Sequence, residues 1–401
     1  MIKQIRTDQL QPGMYIHDLN CGWLDHPFVS NAFYVRDRAT CDKIVNLGIR
    51  ELYIDTLKGA DVFTARPQAE VNADLERRLQ EIARKQPDKA VVVELRDEAA
   101  RARRLHGEAS KLARLVLDDV RLGQPIRIER IDPLVDNMVD SLFRHQDALL
   151  PMARLKDLDD YNFEHSVGVA ALLIAFGRAM KLPRDDIRQL AIGGLLHDIG
   201  KGQVPEAILN KPSRLTDDEY ARMQSHVNES LRLIDGVPGV GPIARQVVAE
   251  HHERIDGSGY PNRLQGKEIS LYGQMAAIVD VYDAITSDKV YNRGMPPTQA
   301  MKKLLEWSKH HFDPQLVQTF IRAVGIYPTG ALVRLESNRM GVVVEQNEGK
   351  LLEPVVRVFY HAGQQHYVPP EIVDLAKVQD RIASCESYEK WKIDPHQWLP
   401  A

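Results

Sequence analysis

From Val135 to Leu149 the apolar positions Val135, Met138, Val139, Leu142 and Leu149 recur close to every third or fourth residue, the spacing that gives a helix one buried face. The same rhythm returns in IRQLAIGGLLHDIG, HVNESLRLI, IARQVVAEHH, LYGQMAAIVDVYDAIT and PTQAMKKLLEWSKH, with turns between them. Pro314 opens one more such segment, PQLVQTFIRAVG, and Gly325 closes it. The pattern predicts a helical domain over residues 133–326. Both flanks change period. MYIHDL and AFYVRD are short β-rich runs behind a Pro12-Gly13 turn, ATCDKIVNLG reads as a short helix ended by Gly48, and ELYID as a strand. Beyond YPTGA, the runs ALVRLE, MGVVVEQNEG and EPVVRVFY predict a meander of three short strands.

The expected fold class is therefore mainly α, a helical bundle between two small β-rich segments. The division is a mixed α/β unit over 1–57, a charged helical linker or extension over 58–132, the helical domain over 133–326 and a β-rich segment over 327–401. Runs such as LERRLQEIARKQ and RDEAARARRL in the second region read as solvated helix faces or linker. Neither β-rich flank has an obvious core of its own, so the strands from 331 to 360 are expected to pack with the N-terminal unit.

Charge changes the picture only by exclusion. The 52 basic and 56 acidic side chains leave a net charge of -4, which is no footprint for a nucleic-acid polymer. Cys21, Cys41 and Cys385 are scattered, without the spacing of a disulfide framework or a thiolate metal site. The start, MIKQIRTDQLQPGMY, lacks the apolar run of a signal peptide, and VGVAALLIAF is far short of the ~20 residues of a membrane span. A cytoplasmic protein that does not enter the membrane is expected.

Histidine placement carries the chemistry. His165 stands at the start of a predicted helix, His197 and Asp198 at the end of another where Gly200 stops the run. His197, His226, His251 and Asp280 then follow at steps of 29, 25 and 29 residues, each about one helix and one connection, and His252 adjoins His251. Stacked helices can bring such side chains together, which is how bundles build metal sites. Imidazoles and carboxylates suit iron, manganese, zinc and similar divalent ions. Seven ligands are too many for one tetrahedral ion but natural for two, with an aspartate bridging them and adjacent histidines each serving a different ion. A pair of ions is suited to phosphoester hydrolysis, because it lowers the pKa of water and clamps a phosphoryl oxygen. Lys201, three residues past Asp198, is placed to meet a substrate phosphate. His17, His366 and the pair His310-His311 lack such company, and the pair reads as a surface helix end.

Taken together, H…HDIGK…H…HHERIDGSGYP…D resembles the HD-GYP family, the cyclic di-GMP phosphodiesterase branch of the HD-domain phosphohydrolases. The resemblance covers about residues 140–325 and includes NKPSRLTDDEY between the motifs. The flanking GMYIHDL and YPTGALVRL are similar to a subgroup with a small N-terminal domain.

The resemblance implies a five-helix HD core with extra helices, and two divalent metal ions, iron or manganese foremost. Their ligands would be His165, His197, Asp198, His226, His251, His252 and Asp280, with Asp198 bridging. Asp198 and Lys201 are the expected catalytic residues, and a bridging hydroxide would open cyclic di-GMP to linear pGpG, with GMP a further product. Gly259, Tyr260 and Pro261 form the signature loop at the pocket edge, where a protein partner such as a diguanylate cyclase would dock. Tyr260, Asp283, Lys289 and Arg293 are expected to join Lys201 at the substrate. Trinuclear members carry Glu four residues before the first histidine; this chain has Tyr161, so a binuclear site is expected. SDKVYN departs from the family's Arg-Pro-Tyr pattern, and lysine does not reproduce an arginine's bidentate grip on phosphate. That departure keeps two alternatives open: a catalytically weak cyclic-dinucleotide sensor, and a phosphodiesterase for a mixed cyclic dinucleotide.

Overall fold

The computed structural model describes all residues except 23–25, 27, 29, 85–94, 152–160, 210, 212–214, 288–293, 348, 395–396 and 399–401. Its N-terminal unit is an antiparallel sheet of β1 (Ile2–Arg6), β2 (Tyr15–Asp18), β3 (Phe33–Tyr34), β4 (Glu51–Asp55) and β5 (Arg66–Pro67), in the order β3-β2-β4-β1-β5. Helix α1 (Arg38–Asn46) starts where the Asp37 side chain accepts from the Thr40 amide. Ile5, Ile16, Ile44, Leu52 and Ile54 form this unit's own core. Strand β1 is absent from the expected elements. It pairs with β4 along its whole length, Ile2 opposite Asp55 through Arg6 opposite Glu51.

The charged region beyond it differs from its expected solvated character. Helices α2 (Gln68–Ala83) and α3 (Leu95–Arg121) each bury one stripe in the main core. Val71, Leu75, Leu79 and Ile82 line that stripe on α2, and Ala102, Leu105, Ala109, Val116 and Val120 on α3. Many charges on the outer face do not prevent a narrow apolar face from burying.

The helical domain continues through α4 (Ile128–Arg144), α5 (Gln146–Leu149), α6 (Tyr161–Ala179), α7 (Arg184–Leu196), α8 (Glu206–Leu209), α9 (Asp217–Gln224), α10 (His226–Ile234), α11 (Pro242–Glu250), α12 (Leu271–Thr286), α13 (Pro297–Trp307) and α14 (Pro314–Val324). Helices α6 and α12 are apolar on nearly every side because they run through the middle, with Val167, Leu173 and Phe176 of α6 and Met275, Ile278 and Val279 of α12 wholly buried. Helix α7 packs between α6 and α11, and at its C-terminal end His197 lies beside both His165 of α6 and His251 at the end of α11. Among the described residues no helix is long and apolar enough to cross a membrane.

The C-terminal segment is a five-stranded antiparallel sheet rather than a three-stranded meander. Its strands β6 (Leu332–Leu335), β7 (Arg339–Glu345), β8 (Val355–His361), β9 (His366–Asp374) and β10 (Ile382–Cys385) lie in the order β10-β6-β7-β8-β9. Strand β9 carries Pro369 and Pro370, which an edge strand tolerates because one side of it has no partner to bond. Both faces of this sheet are covered. Val333, Val343 and Val356 pack on one side; Leu332, Val342 and Phe359 pack on the other, where Trp398 stacks on Phe359 at 3.9 Å between ring centres. Among the described residues the two sheets have separate apolar cores, in place of the expected packing of this segment on the N-terminal unit. The N-terminal sheet docks on α13 instead. There the buried Glu306 carboxylate accepts from Gln4 (2.7 Å), Asn20 (3.1 Å) and Tyr53 (2.6 Å), and the Trp307 indole donates to the Asn20 carbonyl.

Candidate metal centre

Three of the predicted histidines use one local device. His197 caps the C-terminus of α7, His226 follows the last turn of α9, and His251 caps α11. Each Nδ1 lies 2.8 or 2.9 Å from the carbonyl three residues upstream, Gly194, Met223 and Val248 respectively. A carbonyl only accepts, so each Nδ1 carries the proton. The bond satisfies one of the carbonyls a helix end leaves open and turns the bare Nε2 inward. His165 is held otherwise: Asp283 on α12 accepts from its Nδ1 at 2.5 Å, and its Nε2 lies 3.0 Å from Asp280.

The structure gathers all seven predicted ligands in two groups whose donor atoms lie within 4.8 Å of one another: Asp198, His226, His251 and His252, and His165, His197 and Asp280. Asp198 divides its oxygens between them. Oδ1 faces His226 (3.2 Å) and His251 (3.9 Å), while Oδ2 faces His197 (3.2 Å) and His165 (3.7 Å). His252 offers Nδ1 and stands 3.7 Å from Asp280 Oδ2, so it lies between the groups. Lys201 reaches Asp198 Oδ2 from the solvent side.

Burial sets the charge states. It would raise the Asp198 and Asp280 carboxyls, yet the surrounding histidines, with Lys201 beside Asp198, hold both well below the usual carboxylate range. Burial and neighbouring imidazoles push His251 down to about 3 and His252 well below its ordinary value, so both rings are neutral. His197 goes the other way: burial opposes its charge, but Asp198 outweighs that and raises its pKa.

These donors fit divalent ions. His197 Nε2 and Asp198 Oδ1 are buried and make no hydrogen bond, which carries a penalty in a closed interior unless something binds them. His226 and His251 also aim their Nε2 atoms at each other across 3.4 Å while both Nδ1 atoms are committed elsewhere. Two lone pairs so placed need a cation between them.

Family comparison accords with this geometry. A model described as an HD domain matches residues 136–316, and one described as a domain of unknown function (DUF3391) matches residues 2–131. A cyclic di-GMP phosphodiesterase of Pseudomonas aeruginosa is 41% identical over 98% of this chain and 94% of its own length. The chain belongs to the HD-GYP branch of the HD-domain family. Two further relatives come from Vibrio cholerae. A cyclic di-GMP phosphodiesterase is 39% identical over 31% of the chain and 27% of the relative, and a 3'3'-cGAMP-specific phosphodiesterase is 39% identical over 31% and 24%. As an HD-GYP protein the chain is dependent on divalent metal, in keeping with its His/Asp cluster.

The signature loop follows His251 and His252. Its two glycines serve different needs: Gly257 takes φ +78, whereas a Cβ on Gly259 would sit 2.5 Å from the His252 carbonyl and the Glu253 Cα. Tyr260 stacks on His252 at 4.5 Å between ring centres, and the Tyr260-Pro261 peptide is cis. Asp283, expected at the substrate, is buried behind His165 and positions that ring instead. Lys289 and Arg293 lie outside the described residues, as does the Tyr161 side chain on which the two-ion expectation rests.

The residues that hold this frame are absent from the expected site. Glu253 is buried and accepts from the Asn262 and Leu264 amides (2.8 and 3.0 Å), and Glu250 accepts from the Ser270 amide and hydroxyl (2.8 and 2.6 Å). An acid on either side of a histidine pair was the available signal. Ser230 ties the His197 carbonyl to the Gly200 amide. His310 and His311, expected at a surface helix end, are nearer to the site than that: the His311 carbonyl accepts from the Ile255 amide at the base of the loop.

Proposed function

We propose that the chain is a metal-dependent phosphodiesterase that hydrolyses cyclic di-GMP to linear pGpG, with GMP a further product. The observation that carries this is Asp198, whose two oxygens face two separate ligand groups. The assigned ligands are His165, His197, Asp198, His226, His251, His252 and Asp280, holding two ions, iron or manganese. When bound, the ions supply an activated water and charge stabilisation at phosphorus. The protein's own part is positional. Asp283 and the three helix-end carbonyls orient the imidazoles, Asp198 keeps its negative charge in a buried site, and Lys201 supplies a cation where a substrate phosphate enters. Tyr260 over His252 forms an aromatic edge fit for a guanine face. Lys289 and Arg293 belong to the same assignment as phosphate contacts.

The name of the Pseudomonas relative, matched over nearly its whole length, favours cyclic di-GMP. The cGAMP-specific relatives favour a second reading, a mixed cyclic dinucleotide. The division into 1–57, 58–132, 133–326 and 327–401, a cytoplasmic site of action and a protein partner at the signature loop belong to the same proposal. The test is hydrolysis of cyclic di-GMP and of 3'3'-cGAMP by manganese- or iron-reconstituted protein, followed by nucleotide chromatography beside Asp198→Ala. Production of pGpG that vanishes in the variant is the expected result. Intact dinucleotide bound but not cleaved overturns the proposal in favour of a sensor.

A further inference from the structure

The N-terminal unit touches the signature loop itself. Between α1 and β4 the chain turns at Gly48, with φ +76, and lies so close to the loop that a Cβ there would stand 2.3 Å from Ser258 Cβ. Two residues on, Arg50 Nε lies 3.4 Å from Asp256 Oδ2, while Asp256 Oδ1 accepts from the Ser258 amide (3.1 Å) and hydroxyl (2.6 Å). Lys43 on α1 faces Asp217, the first residue of α9, at 3.4 Å. The N-terminal turn therefore rests on the Asp256 to Ser258 bend.

From Ser258 the contact runs on without slack. Gly259 is wedged against the backbone of His252, Glu253 and Arg254, so it cannot take up a displacement. The Tyr260 amide donates to the His252 carbonyl at 3.2 Å and its ring covers the His252 imidazole. The opposite end is equally fixed, because β4 is held to α13 through Tyr53 and Glu306, and Lys309 pairs with Glu51. The base of the loop is tied just past that helix, at the His311 carbonyl. A rigid turn, a tight glycine and a stacked ring make a contiguous mechanical path of the kind coupling requires.

We infer that Gly48 and Arg50 of the N-terminal unit are positioning residues for the metal centre, setting through Ser258 where Tyr260 lies over His252. This deepens the reading of the site as a cyclic-dinucleotide centre and rests on it for its effect on substrate. A change in the N-terminal unit then alters substrate capture without any contact between that unit and the ions.

The experiment compares the full-length parent, Gly48→Ala, Ser258→Gly and the double variant by two readouts. The first is amide hydrogen exchange of residues 252–266 in metal-free protein, which needs no activity. The second is the KM and kcat of the manganese-loaded protein for cyclic di-GMP. Gly48→Ala adds a methyl group where Ser258 stands, and Ser258→Gly removes the atoms it strikes; strain at the positive φ is common to both backgrounds. In Gly48→Ala, loop exchange is expected to rise about tenfold and KM severalfold with kcat changed less, and both return to near the Ser258→Gly values in the double variant. Unchanged loop exchange in Gly48→Ala, or a defect that persists in the double variant, overturns the inference. If no variant, parent included, cleaves the dinucleotide, the enzymatic reading falls while the exchange data still decide the coupling.

Discussion

At the residue scale the centre depends on side chains that never face a ligand. Asp283 accepts from His165 Nδ1 and so fixes both the tautomer and the plane of the ring. Carboxylates in this position raise the basicity of the imidazole they hold, and losing one typically weakens metal binding about 10–100-fold. Asp283→Asn keeps the size and one acceptor oxygen but removes the charge. We expect its apparent metal affinity, read by chelator competition, to fall within that range while Asp198→Ala loses more. Metal affinity equal to the parent would show that Asp283 merely fills space. The meeting of these side chains was legible in the sequence because the steps from His197 to His226, to His251 and to Asp280 each match one helix and one connection. The role of Asp283 was not. It stands three residues after Asp280 on the same helix face, and spacing cannot tell which carboxylate meets the centre and which stands behind an imidazole.

At the element scale, what the sequence concealed follows from how burial is shared. Strands β6, β7 and β8 were legible because β-branched residues dominate them. Strand β9 was hidden by its two prolines, and β1 by the polar Lys3 and Gln4 between its isoleucines. Helices α2 and α3 read as solvated faces in the sequence because their charge count outweighs a narrow stripe that only the folded core makes visible. The signature loop shows the same limit in small. Its glycines were legible, but not Glu253, which receives the Asn262 and Leu264 amides on its two oxygens and closes the loop onto the end of α11. In Glu253→Gln one of those amides meets an NH2 group, so a donor faces a donor in a buried place. Such a mismatch costs about 1–3 kcal/mol, and we expect exchange of the Asn262 and Leu264 amides to quicken by on the order of tenfold or more while global stability falls less. Exchange as slow as in the parent would mean that packing around Gly259 alone holds the loop.

At the scale of the whole molecule, two small sheets with cores of their own adjoin one helical body, and the N-terminal junction is built around a buried carboxylate. Glu306 is buried, and its charge is balanced by donors from Gln4, Asn20 and Tyr53, with Lys303 at 3.8 Å. Burial first, then the Glu306 charge and hydrogen bond, pushes the Tyr53 phenol far above its ordinary pKa of 10.0. A raised phenol contributes stability that is complete below pH 10, where the unfolded chain is also protonated. That contribution is lost as pH rises further, because only the unfolded chain then releases the proton, at a rate of at most about 1.4 kcal/mol per pH unit. Tyr53→Phe removes both the donor and the titration. At neutral pH the variant should be less stable by about 1–3 kcal/mol, since Glu306 loses one of three donors. Between pH 10 and 11.5 the gap between parent and variant should narrow, because only the parent carries this alkaline penalty. Thermal unfolding of both proteins across that range checks it. A gap that stays constant would mean that Tyr53 leaves Glu306 before the protein unfolds, and that the N-terminal unit is held to α13 by its remaining contacts, those of Gln4, Asn20 and Trp307 among them.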